Sequence, residues 1–195
     1  MRYTRIVLLS IAVAVCTPLN AQLFQNLELS GGWAHVTGNN GLDGFNAGAA
    51  LWFSRRVSIA FDFDHVHDTS ALSAFAQSGG LVTTKNNVDN YLIGPRVFFN
   101  SKSVKVLKTL QPFAEFQVGA SHLKSELQQV GAPSQTATDN AGSWLLGGGG
   151  DFVLSKHWTG RLNAGLLRTH FVDAGQSRLR IVFGVAYTFG SRKIQ

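Results

Sequence analysis

The sequence predicts an all-β chain of eight antiparallel strands, closed in up-and-down order into a transmembrane barrel. Three observations carry this. In Arg180-Ile181-Val182-Phe183-Gly184-Val185-Ala186-Tyr187-Thr188-Phe189, the residues Ile181, Phe183, Val185, Tyr187 and Phe189 are bulky and share one parity. The other parity is small or polar and starts with Arg180. Side chains alternate faces along a strand, so this segment has one apolar face and one crowded, polar face. Second, only 14% of residues are charged, against about 25% in an ordinary soluble protein. Third, past the first 21 residues no apolar run approaches the roughly 20 residues of a spanning helix. Closed barrels are the other way to satisfy a backbone inside lipid.

Residues 1–21 read as a secretory signal peptide. Arg2 and Arg5 precede an apolar run from Ile6 to Val15, then Pro18 and a cleavage point after Ala21. The mature barrel domain is then 22–195. Cys16, the only cysteine, leaves with the signal, so no disulfide or thiol chemistry is expected. Loss of Arg2 and Arg5 lowers the formal charge from +6 to +4. The remaining basic residues are dispersed, and nucleic acid is not an expected partner.

Strands are expected near Leu27–Val36, Gly44–Phe53, Val57–Val66, Val88–Phe99, Pro112–Leu123, Gly142–Leu154, Trp158–Phe171 and Ser177–Phe189. Most match the 9–11 residues a tilted strand needs to cross a bilayer. Ser54-Arg55-Arg56 and Ser155-Lys156-His157 read as tight turns. Asn100–Leu110, with Lys102, Lys105 and Lys108, is intermediate. Asp68–Asn87 and Lys124–Ala141 read as long polar loops, and Asn39-Asn40-Gly41 as a tight turn. Short turns at one end and longer loops at the other are the habit of such barrels, so the termini and short turns are assigned to the periplasm.

Parity then sorts the charged residues. Glu28, Asp62, Asp64, Arg96, Glu115, Asp151, Arg161 and Arg180 all fall on the inward face, as does Asn46. A lipid-facing Arg at the midplane costs about 2–4 kcal/mol, whereas carboxylates and guanidiniums inside a lumen can pair. These eight residues are expected to form a structural ion-pair network. Arg168 resists this scheme and falls outward, near the outer end, where the cost is smaller than at the midplane. Trp33, Trp144, Trp158, Tyr91 and Tyr187 are expected in interfacial girdles. Trp52 falls on the inward parity, which means either lumen packing or a register slip.

Gly147–Gly150 lacks the following helix and Lys-Ser/Thr pair of a phosphate loop, and reads as relief of crowding in a narrow barrel. Neither a cofactor nor a metal is expected. His65 and His67 share a face, but a metal would need further ligands. No catalytic residues are assigned. Ser121, His122, Ser125 and Glu126 lie together, but alternation parts Ser121 from His122. His35, His65 and His170 fall outward, within reach of lipopolysaccharide head groups.

Several stretches together resemble the small eight-stranded outer-membrane barrels of the OmpA-like and OmpX-like group. They are Tyr91-Leu92-Ile93-Gly94-Pro95-Arg96, Pro112-Phe113-Ala114-Glu115-Phe116-Gln117-Val118-Gly119, Gly147-Gly148-Gly149-Gly150-Asp151-Phe152 and Val185-Ala186-Tyr187-Thr188-Phe189. The resemblance covers the mature chain. It implies a Gram-negative outer-membrane location and a terminal strand (Phe183, Val185, Tyr187, Phe189) read by the barrel-assembly machinery. Gly190–Gln195 follow Phe189, a departure from a terminal aromatic. The expected role is structural or surface-interacting, in a monomer surrounded by outer-membrane lipid and lipopolysaccharide. An extracellular partner would meet the two long loops. The rival readings are a lipid A-modifying barrel enzyme, a narrow porin-like ion path, and a soluble lipocalin-like carrier with inverted faces.

Overall fold

A computed structural model describes residues 26–38, 41–72, 82–99, 110–129, 133–171 and 174–189. The expected signal peptide, the lysine-bearing segment 100–109 and the tail after Phe189 lie outside the described residues. Eight strands follow in order: β1 (Asn26–Val36), β2 (Leu42–Trp52), β3 (Val57–Leu72), β4 (Val82–Phe98), β5 (Leu110–Gln129), β6 (Gln135–Val153), β7 (Trp158–Phe171) and β8 (Ala174–Phe189). Each pairs antiparallel with its sequence neighbour, and β1 also pairs with β8, so the sheet closes into a barrel with up-and-down order.

The faces alternate as parity requires. β7 switches between exposed and buried at nearly every step from Trp158 to Phe171. Leu29, Phe61, Ile93, Val118, Leu146 and Phe183 stand exposed on the outside, while Glu28, Asp62, Arg96, Glu115, Asp151 and Arg180 are buried inside. That is the inverse of a water-soluble protein, where exposed surface this apolar marks a binding or membrane face. It also removes the lipocalin-like reading, which requires an apolar interior and a charged exterior.

Local chemistry explains the short turns. The Ser54 hydroxyl accepts hydrogen bonds from the Arg56 and Val57 amides at 3.2 and 3.1 Å. Ser155 does the same for His157 and Trp158 at 3.4 and 3.2 Å. Such side-chain capping favours turns over continued ladder. At the opposite end, Gly41 holds φ at +67°, which supports the turn expected there; Asn39 and Asn40 lie outside the described residues. In β4, Pro95 faces outward and has no N–H to donate. The β4–β5 ladder accordingly steps from Ile93↔Val118 to Arg96↔Glu115.

Two expectations are corrected. Asp68–Asn87 is not loop throughout: β3 runs to Leu72 and β4 starts at Val82, in register from Asp68↔Asn86 to Leu72↔Val82. Lys124–Ala141 is likewise mostly strand, with β5 reaching Gln129 and β6 starting at Gln135. Beyond the lipid both faces of a strand are wet. Backbone pairing then continues with no apolar alternation to reveal it. Because β4 and β5 also stay paired out to Val82↔Gln129, strands β3 to β6 continue past the barrel as one four-stranded sheet. By contrast, β6 and β7 pair only from Ser143↔Thr169 onward. The sheet therefore rises on one side of the barrel.

Candidate functional site: a sealed, ion-paired lumen

The lumen is built in three layers. At the short-turn end, Trp52, Phe98 and Phe113 form an aromatic floor. The Trp52 and Phe98 ring centroids are 4.6 Å apart, and those of Phe98 and Phe113 5.3 Å. This settles the position of Trp52: it packs inside, with no register slip.

Above the floor lies the charged layer. Arg161 forks onto Asp151 with bonds of 2.7 and 2.8 Å and reaches Glu28 at 2.7 Å. Arg96 binds Glu115 at 2.8 Å and Asp62 at 3.3 Å. Arg180 forks onto Asp64 with two bonds of 2.7 Å. The structure thus turns all eight predicted residues inward and buries them, and each guanidinium reaches at least one carboxylate. The planar fork of arginine suits this, since bidentate pairing fixes geometry as well as charge. The guanidiniums of Arg96 and Arg161 also lie 4.9 and 5.6 Å from the Phe113 ring centroid, a cation–π contact that ties charge to floor.

Amides join these groups. Gln117 donates to Asp62 at 2.6 Å, Asn46 donates to Asp64 at 2.9 Å, and Asn163 donates to Glu115. None of these three amides was among the eight expected network residues, although Asn46 was expected inward. For Gln117 and Asn163, inward parity beside Glu115 and Arg161 was the available signal. A small cavity remains among Ser30, Asn46, Asp62, Asn163 and Arg180.

The third layer was not expected. Toward the long-hairpin end the lumen closes with an apolar roof that includes Val36, Leu42, Val66, Leu92, Leu145, Leu167, Phe171 and Val182. The charged side chains therefore sit in the middle of the interior, while uncharged polar residues such as Asn90, Ser121, Ser143 and Thr169 are buried at the level of the roof. A charged layer held between two apolar ones is shielded from water, which strengthens each pair and makes any unpaired charge costly.

The residues weighed for enzyme chemistry separate. Ser121 is buried and donates to Asn90 at 2.6 Å, while the His122 ring lies outward, 2.7 Å from Asn140. His65 and His67 have ring centroids 6.4 Å apart, and His65 sits 2.6 Å from Asp89. His35 lies 2.8 Å from Asp43. Outside the barrel, aromatic side chains gather at two levels. Phe45, Phe63 and Tyr91 pack together toward the long-hairpin end, beside the stacked rings of Trp33 and His35. Trp158, Tyr187 and Phe189 pack edge to face toward the short-turn end.

With that geometry in place, the comparisons with known proteins are informative. Ail, the attachment invasion locus protein of Yersinia pestis, superposes with a TM-score of 0.60 at 16% identity, covering 85% of this chain and 99% of its own. The outer membrane protein OprG from Pseudomonas aeruginosa gives 0.57 at 9% identity, over 86% and 97% of the two chains. A major outer membrane protein from Thermus thermophilus gives 0.53 at 9%, over 83% and 99%. The chain has the fold of small bacterial outer-membrane barrels. The fold and the outer-membrane location read from the sequence agree with these neighbours. No protein-family model matches the sequence, and no curated protein matches it.

Proposed function

We propose that the protein is an outer-membrane anchor that presents a rigid polar sheet at the cell surface for contact with an extracellular partner. The barrel is its stem, and the lumen network is a structural plug that holds the stem closed. One observation carries the reading: β3 to β6 remain paired past the barrel while the lumen beneath is sealed by an apolar roof. A roofed lumen suits a scaffold better than a conduit. A sheet raised on that scaffold suits recognition, since binding residues collect where a rigid frame holds them out. The projecting part of β6 is polar and exposed, with Gln135, Thr136 and Thr138 facing solvent. On this reading the long hairpins face outside, the termini face the periplasm and the chain acts as a monomer. It performs no catalysis, a view supported by the separation of Ser121 from His122. The neighbour Ail is an attachment protein, and the role proposed here is of that broad kind.

The test shortens the sheet without touching the stem. In the shortened form an introduced Asn-Gly turn links Asp68 to Asn86 and another links Ser125 to Ala137, two pairs already in register. Cells displaying the shortened barrel are compared with full-length cells for retention on surfaces coated with matrix proteins or sulfated polysaccharides. Retention by the full chain that falls to the empty-vector level on shortening is expected, with heat-modifiable gel mobility intact in both. Equal retention by both forms would overturn the surface role. Stepwise conductance in a planar bilayer would instead favour an ion path.

A further inference from the structure

Arg168 does not fit the logic of the lumen. It is exposed on the outward face of β7, level with Trp144 of β6 and Ser177 of β8, its register partners. Directly toward the barrel middle lie Leu166 and Leu179, themselves paired in register and exposed as lipid-facing residues are. The guanidinium therefore stands at the boundary between acyl chains and head groups.

The other outward ionisable side chains, at this level and on the sheet that projects past it, are largely compensated. His35 meets Asp43, His65 meets Asp89, and Lys124 meets Glu126 at 2.6 Å. That lysine holds the Glu126 carboxyl below its ordinary range, through a hydrogen bond first and charge second. Arg168 has no such partner among the described residues, and the described outward positions beside it on β6, β7 and β8 carry no acid. Its guanidinium instead lies over Gly175. A Cβ at that glycine would come within 3.1 Å of Arg168 Nη2 and 3.4 Å of Nε, so the guanidinium packs in space that the glycine leaves open. His170, exposed on the same face, borders the same glycine.

We propose that Arg168, with His170 and Ser177 beside it, binds a phosphate of the lipopolysaccharide lipid A moiety, whose acyl chains lie along Leu166 and Leu179. A guanidinium fork matches a phosphate bidentately, and the site is level with an interfacial Trp, where a lipid phosphate resides. Choice of lipopolysaccharide over phospholipid rests on the outward orientation of the long-hairpin end in the proposed function.

The test counts lipid bound to the full chain, refolded in detergent, by native mass spectrometry. The probes are diphosphorylated lipid A, its dephosphorylated form, phosphatidylglycerol and inorganic phosphate. Preferential retention of diphosphorylated lipid A is expected. Arg168→Gln should lower that retention about tenfold, the worth of one charge-assisted hydrogen bond. Gly175→Val, which displaces the guanidinium but keeps its charge, should lower it as well. Lys124→Gln should leave it unchanged, because Lys124 already has Glu126. Equal retention by wild type, Arg168→Gln and Gly175→Val would overturn the site. Equal binding of phosphatidylglycerol would overturn the assignment to lipopolysaccharide, and equal binding of inorganic phosphate would reduce it to a plain anion site. Unboiled gel mobility is read in parallel. Absence of a compact band from wild type would sink the barrel reading, whereas a compact band without lipid discrimination sinks only the site.

Discussion

Replacing Arg161 with Glu is expected to lower the stability of the barrel by at least about 3–5 kcal/mol, the scale for leaving a buried ion-pair partner uncompensated. Arg161 spans two carboxylates, Asp151 by a bidentate fork and Glu28 by a third bond. Reversal puts a third negative charge among them, between an aromatic floor and an apolar roof that keep water from screening it. The measurement is the urea midpoint for loss of the fast-migrating unboiled band. Arg161→Leu should fall between the two forms, since it strands two carboxylates without adding a third. Glu28→Leu, Asp151→Leu and Arg161→Leu combined should recover much of the loss, because a buried charge triad replaced by apolar residues of similar volume is often neutral or better. Shortened hairpins should leave the midpoint nearly unchanged. A midpoint that falls equally for shortened hairpins and for Arg161→Glu would count against the lumen as the element that holds the stem closed.

Arg161 also shows where sequence reading ends. Its inward position follows from parity, because Leu162, Ala164 and Leu166 alternate against it. Its partners do not: Asp151 lies across the next hairpin, but Glu28 meets it only because β8 closes onto β1. Pairing within a lumen depends on closure and on strand tilt, and neither is written into any one strand. The roof was hidden differently. Val36, Leu92, Leu145 and Leu167 are inward by the same parity that placed the charges. The expectation of a polar lumen hid what they do near the mouth, where fewer charges need partners. The projecting sheet was hidden because Thr136, Thr138, Lys124 and Glu126 have water on both faces, so no apolar alternation marks them as strand. The lipid-facing rows, by contrast, were legible almost residue by residue, since an outward position in the acyl region must be apolar.

The seam between the first and last strands sets the second large effect. Gly32 and Gly184 face each other in register where β1 meets β8. A Cβ on Gly184 would approach Gly32 Cα to 2.8 Å, and one on Gly32 would approach Gly184 Cα to 2.5 Å. Both obstacles are backbone, so no side-chain rotation relieves them. Close approach of two chains at this point therefore requires glycine on both sides. Gly184→Val is expected to cost about 3 kcal/mol or more, at or beyond the upper end of ordinary overpacking, because the strands must part to admit the side chain. The cost should appear in folding yield: the closing hydrogen bonds of the barrel lie on this seam, and an open edge invites aggregation. Gly142→Val supplies the contrast, as a Cβ there would meet nothing within 4 Å. Refolding both variants into detergent and scoring the heat-modifiable band should give a near-normal yield for Gly142→Val and a severely reduced one for Gly184→Val. Equal yields would mean that the seam can widen by the width of a side chain, and that closure rests on the lumen pairs instead of on the backbone contact between β1 and β8.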